Sequence, residues 1–93
     1  MTTESEIEHK LVEMVKRHRG YCLKFVSPGS AGVPDRILLL PGGHAVFVET
    51  KRPYGGRISK LQYYWKKKIE QLGFEHWFVW SAEDIAALEQ SIK

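Results

Sequence analysis

The triplet Glu49-Thr50-Lys51 closes an apolar run, Ala45 to Val48, where hydrophobic residues give way abruptly to charge. Residues two apart on a strand share a face, so Glu49 and Lys51 would project side by side from its end. A carboxylate and an ammonium placed this way, with a second acid close by, could hold a divalent cation and the water it activates. Taken alone, the pair reads as readily as an ion pair where a strand emerges into solvent. Asp35, directly after Pro34, is the candidate second acid, although an aspartate after proline is also an ordinary turn residue. Asp35 precedes the apolar run Ile37 to Leu40, and Pro41-Gly42-Gly43 separates that run from the next. A three-residue turn with Gly43 in the left-handed position and a bulge sets Leu40 against Ala45 or His44, and pairing with His44 carries Asp35 across from Glu49. Cross-strand partners have Cβ atoms roughly 4.5–5.5 Å apart, close enough for two carboxylates to share a cation. A two-residue Gly42-Gly43 turn would instead pair Asp35 with Thr50 and send its side chain away.

Two such acids repel unless a cation lies between them. Oxygen ligands of this kind suit Mg²⁺ or Mn²⁺. His9, His18, His44 and His76 have no ligand spacing, and there is no Cys/His cluster that would hold zinc. The first helical segment could add a third acid. At about 100° per residue, Glu6 and Glu13 point away from its apolar arc, whereas Glu4 and Glu8 lie within it. Capping and the helix dipole already account for an acid at Glu4. Glu8 lacks that explanation and needs a partner, either a cation or a neighbouring Lys or Arg. Gln62 stands three residues after Ser59, which fits a capping box, and on the edge of a buried helix face, from which it could orient a water or Lys51. Arg57, Lys60, Lys66, Lys67 and Lys68 could contact phosphates or simply form a solvated face. Trp65, Trp77 and Trp80 read as core rather than as base-stacking platforms.

These residues need elements to position them. Ile7, Leu11, Met14 and Val15 recur at helical spacing from about Thr3 to Arg19, with Thr3 and Glu6 as a capping box and Gly20 as a stop. Tyr21 to Val26 reads as a strand, and residues 27–32 as a loop. Both apolar runs are continuous, which predicts central strands covered on two faces. A helix follows from about Ser59 to Leu72, with Leu61, Trp65, Ile69 and Leu72 facing inward. Glu75 to Trp80 is a further strand, and Ser81 opens a last helix through Ile92. The order α-β-β-β-α-β-α predicts an α/β fold with a mixed central sheet flanked by helices.

A chain of 93 residues has room for one core, so residues 1–93 are expected to form a single domain. The net charge of +3 is compatible with a nucleic-acid partner without requiring one. Ile37 to Leu40, the longest apolar run, is far too short to span a bilayer, so no membrane association is expected. The single cysteine, Cys22, suits a reducing cytoplasm.

Gly32-Val33-Pro34-Asp35-Arg36, Phe47-Val48-Glu49-Thr50-Lys51, Gly55-Gly56-Arg57-Ile58-Ser59 and Leu61-Gln62 together closely resemble the VRR-Nuc (virus-type replication-repair nuclease) family of the PD-(D/E)XK superfamily. The resemblance spans nearly the whole chain and implies a restriction-endonuclease-like core. It implies an Mg²⁺- or Mn²⁺-dependent deoxyribonuclease, with Asp35, Glu49 and Glu8 on the metal, helped by the Thr50 carbonyl. Lys51 would activate or position the attacking water, or stabilise phosphate charge, with Gln62 matching the glutamine after the third strand; the DNA contacts expected of Arg57, Lys60, Lys66 and Lys67 rest on their charge alone. It further implies a homodimer cutting branched DNA in the manner of a Holliday-junction resolvase, in a bacterial or phage-infected cytoplasm. The rivals are a nickase or flap nuclease that needs a partner protein, and a catalytically silent nucleic-acid-binding module. Tyr54 lengthens the family's usual Lys-x-Pro-Gly-Gly-Arg run by one residue, which bears on the placement of Arg57.

Overall fold

The computed structural model describes residues 2–93. Helix α1 spans Glu4–Arg17, and Thr3 caps it by accepting from the Glu6 N–H at 3.2 Å. Its apolar stripe, Ile7, Leu11, Met14 and Val15, has no solvent exposure. Strands β1 (Tyr21–Lys24), β2 (Arg36–Leu40) and β3 (His44–Thr50) follow, then α2 (Lys60–Gln71), β4 (Glu75–Val79) and α3 (Ala82–Ile92). The strands form one sheet in the order β1-β2-β3-β4. The first three are antiparallel, and β4 joins β3 in parallel through α2, so the sheet is mixed as expected. No helix among the described residues is long and apolar enough to cross a membrane.

The β2–β3 hairpin decides where the acids go. Leu40 pairs with His44 and Arg36 with Val48. This is the three-residue turn, with both Gly42 and Gly43 at positive φ, where a Cβ would be strained. Continuing the register by one step carries Asp35 to the level of Glu49.

Side-chain alternation gives the sheet two unlike faces. Leu38, Leu40, Val46 and Val48 point toward α1 and α3 and, with Val79, Ile85 and Leu88, complete the core around the α1 stripe. The opposite face carries Ile37, Leu39, Ala45, Phe47 and Glu49. There α2 packs along β4 and leaves Tyr21, Leu23 and Leu39 exposed. Coverage on both faces, expected for the two continuous apolar runs, therefore fails over β2. One short helix is too narrow to cover four strands.

Other expectations shift at element ends. Strand β1 stops at Lys24 rather than Val26, because after the Phe25 N–H bonds to the Asp35 carbonyl (2.9 Å) the chain turns into the loop. Leu61 and Leu72, expected to face inward on α2, are exposed. Leu72 is the C-cap beyond the last helical residue, and Leu61 lies against Gly32 instead of the sheet. That contact is exacting. Gly32 has φ +88°, and a Cβ there would fall 2.6 Å from Leu61 Cβ and 2.8 Å from its carbonyl carbon. Gly32→Ala is expected to destabilise the fold by about 2 kcal/mol or more, combining left-handed strain with a backbone clash. A thermal melt against wild type measures it, and an unchanged midpoint would contradict this packing.

Candidate active site

The ends of β2 and β3 and one face of α1 converge on Thr50. The Thr50 N–H donates to Asp35 Oδ1 at 3.0 Å, and its hydroxyl donates to Asp35 Oδ2 at 2.7 Å. The same hydroxyl lies 3.2 Å from Glu8 Oε1. A hydroxyl has one hydrogen. The shorter contact takes it, so Glu8 Oε1 faces a lone pair, an arrangement that a cation relieves. Glu8 Oε2 meets Arg36 at 3.5 Å, so the basic partner open to Glu8 from the sequence is present.

Glu4, Glu8 and Asp35 bring carboxylate oxygens within 4.8 Å of one another. Glu4 is the member of this group that the sequence assigns to capping and the helix dipole. The signal for more is present: Glu4 and Glu8 are four residues apart, hence neighbours on one helical face, and both lie in the apolar arc.

Glu49 is not part of that trio. It is almost completely buried and accepts from Gln62 Nε2 at 3.2 Å. Burial pushes its carboxyl up to about 7, repulsion from Asp35 adds to the rise, and Lys51 opposes it. Lys51 Nζ is 3.9 Å from Glu49 Oε2. The ammonium donates to Gln62 Oε1 at 2.7 Å and to the Arg57 carbonyl at 2.6 Å. An ammonium has three N–H groups. Two are fixed on the protein, and the third has no hydrogen-bond acceptor among the described residues. Gln62 also closes the capping box, with Oε1 accepting from the Ser59 N–H at 2.9 Å while its own N–H donates to Ser59 Oγ. The cap and the contact to Lys51, alternatives in the sequence, are thus made by one side chain.

The structure therefore brings Asp35, Glu49, Lys51, Thr50, Glu8 and Gln62 together through mutual contacts and leaves most of the basic residues outside them. Arg57 reaches the site through its backbone carbonyl, while its side chain is exposed. Lys60 and Lys67 are exposed on α2, lining a shallow groove with Tyr63 and Tyr64. Lys66 is committed elsewhere: it pairs with Glu70 at 3.1 Å and donates to the His76 carbonyl at 2.8 Å, tying α2 to β4. That structural role is a poor fit to the phosphate contact expected of Lys66. Trp65, Trp77 and Trp80 are partly buried, and Trp65 donates to the Ala31 carbonyl at 3.0 Å.

The candidate donors are all oxygens, converging where carboxylates crowd and where Glu49 is hard to ionise. This chemistry fits a divalent cation, which would lower the repulsion and favour the charged forms.

No family model matches the chain. A protein of Acyrthosiphon pisum secondary endosymbiont phage 1, named "Putative nuclease p44", is 52% identical over 50 residues. That match covers 54% of this chain and 54% of the phage protein, about half of each. A solved structure described as a VRR_NUC domain is similar over 100% of both chains, with a TM-score of 0.90 at 22% identity. The chain has the fold of a VRR_NUC domain.

Proposed function

We propose that this chain is an Mg²⁺- or Mn²⁺-dependent DNA endonuclease that hydrolyses phosphodiester bonds in branched DNA, as a homodimer with two such sites. The observation that carries the reading is the convergence of three carboxylates beside a buried Glu49 and a clamped Lys51. A fold shared with a VRR_NUC domain and a relative named as a nuclease support it.

Asp35, Glu49, Glu8 and the Thr50 carbonyl would hold the cation, with Glu4 as a further carboxylate at its edge. When bound, it supplies positive charge to the scissile phosphate and lowers the pKa of the attacking water. Thr50 fixes both Asp35 oxygens, so that carboxylate keeps one orientation. Gln62 and the Arg57 carbonyl hold the Lys51 ammonium still, and its third N–H is available to a non-bridging phosphate oxygen or to the water. Charge accumulating on the phosphate in the transition state would meet a donor already in place, with no reorganisation at that moment. Exposed Lys60, Lys67 and Arg57 would bind flanking phosphates, a contribution that weakens as salt rises.

The test is cleavage of labelled four-way junction, flap and linear duplex in Mg²⁺, Mn²⁺ or EDTA. Cation-dependent, symmetric cutting of the junction in preference to duplex is expected. Cutting of flap alone, or only with an added partner protein, would replace the resolvase reading with the partner-dependent one. Binding without any cutting would leave a silent DNA-binding module.

A further inference from the structure

Helix α2 turns two adjacent tyrosines outward. Tyr63 is 53% exposed and Tyr64 50%, on a helix whose single buried side chain is Ile69. Both rings are braced. Tyr63 meets Phe78 edge-on with centroids 5.6 Å apart, and Tyr64 meets Trp65 edge-on at the same distance. Exposed lysines bracket the pair at helical spacing, Lys60 one turn before and Lys67 and Lys68 one turn after. Lys60 and Lys67 line one shallow groove with both tyrosines. The acid in that groove, Glu70, is paired with Lys66 at 3.1 Å, so its net charge is positive. Helix stability does not account for the pattern. Lys60 stands in a first turn that holds no acid, where a cation opposes the macrodipole. An anion bound beside it removes that conflict.

We infer that this face holds unpaired DNA bases, stacked on Tyr63 and Tyr64, with their phosphates on Lys60 and Lys67. The inference rests on the proposed nuclease reading and names the feature of the branched substrate that α2 takes, nucleotides left unpaired at the branch. Position favours it. Gln62, the residue before Tyr63, bonds both Glu49 and Lys51, so the stripe begins beside the candidate catalytic groups. From Lys60 to Lys67 the helix rises about 10 Å, room for about three stacked nucleotides at roughly 3.4 Å each.

The chemistry of the face selects among occupants. A duplex keeps its base faces stacked on one another, so it would engage the lysines and leave the tyrosine rings without a partner. An acidic peptide would likewise satisfy only the charge. Unpaired bases use both, because every base has a flat face to lay on an aromatic ring. Lys68 Nζ lies 5.4 Å from the Tyr64 centroid. An exposed contact of that kind is weaker than base stacking, so a base takes its place.

Fluorescence anisotropy with a labelled thymidine oligonucleotide and a duplex of equal length, in EDTA to keep binding separate from cutting, tests the face. Wild type should prefer the single strand several-fold. Tyr64→Leu should lose about fivefold in that preference, and Tyr64→Phe, which keeps the ring, should retain it. Tyr63→Leu should act in the same way. Tyr63 packs on β4 whereas the aromatic neighbour of Tyr64 lies in its own helix, so Tyr64 carries the test if Tyr63→Leu fails to fold. Lys67→Gln should instead lower the salt slope by about 0.7, the share of one phosphate on a single strand. Equal affinity for the two DNAs, an unchanged preference in folded Tyr64→Leu, or equal competition by poly-glutamate overturns the inference.

Cutting in Mn²⁺ of a junction with unpaired thymidines at its branch, against a fully paired one, separates the face from the chemistry. Faster cutting of the first that disappears in Tyr64→Leu supports both readings. Ring-dependent single-strand binding with no cutting supports the face and refutes the nuclease reading. Equal cutting of both junctions by wild type and Tyr64→Leu refutes the face and leaves the nuclease reading standing.

Discussion

Lys51→Ala should lower cutting of a four-way junction by about 10²–10³-fold, the loss typical when one fixed donor to a charged transition state is removed. The reason lies in how Lys51 is held. Its side chain is only 12% exposed, and Gln62 Oε1 and the Arg57 carbonyl immobilise its ammonium. Those bonds serve the fold little, because Ser59 and Gln62 cap α2 without Lys51. The variant should therefore keep its circular dichroism and its junction affinity while losing turnover. Lys51→Arg is not a rescue, since a planar guanidinium cannot reproduce an ammonium clamped by two acceptors. Single-turnover cleavage at saturating enzyme separates binding from chemistry. Near-normal turnover in Lys51→Ala would remove this residue from the mechanism.

Glu49→Gln should abolish cutting and at the same time stabilise the cation-free protein at alkaline pH. Proton linkage sets the direction. Burial lifts the Glu49 carboxyl from its ordinary 4.5 to about 7 in the folded chain. Between those two values the folded state holds a proton that the unfolded state has released, so stability falls as pH rises through this window. Above it, the buried charge costs about 3 kcal/mol, which an uncharged amide removes. The amide oxygen of the variant can still accept from Gln62 Nε2, so the hydrogen bond to α2 survives. In EDTA at pH 8 the variant should melt several degrees above wild type, and at pH 4 the two should coincide. Saturating Mn²⁺ should reverse the order by stabilising wild type alone. Equal melting at pH 8 in EDTA would mean that Glu49 ionises there without penalty.

The parts of this site that can be read from the sequence are those fixed by local geometry. Pro41-Gly42-Gly43 announces the hairpin and narrows its register to two choices, of which the one the fold adopts sets Asp35 level with Glu49. The strand period puts Lys51 on the Glu49 side. Ser59 and Gln62 declare their cap by spacing, and the α1 stripe declares the core. What stays hidden depends on the relative placement of elements distant in sequence. Glu4 looks explained by the helix dipole until Asp35, thirty-one residues on, arrives beside it. Lys66 looks like one lysine in a basic run until the His76 carbonyl claims it. The run Ile37 to Leu40 gives no sign that α2 covers only the β4 side of the sheet, because periodicity reports that a face is apolar and not what covers it.

Whether these carboxylates gather a cation needed for cutting can be decided by titrating Mn²⁺ into wild type and Asp35→Asn by calorimetry, with junction cleavage followed on the same samples. The substituted amide would keep one acceptor for Thr50 while removing the charge. Saturable binding and cutting are expected in wild type, with both lost in Asp35→Asn while the fold is retained. Equal Mn²⁺ binding in the two proteins, or cutting by wild type undiminished in EDTA, would contradict a carboxylate-bound catalytic cation.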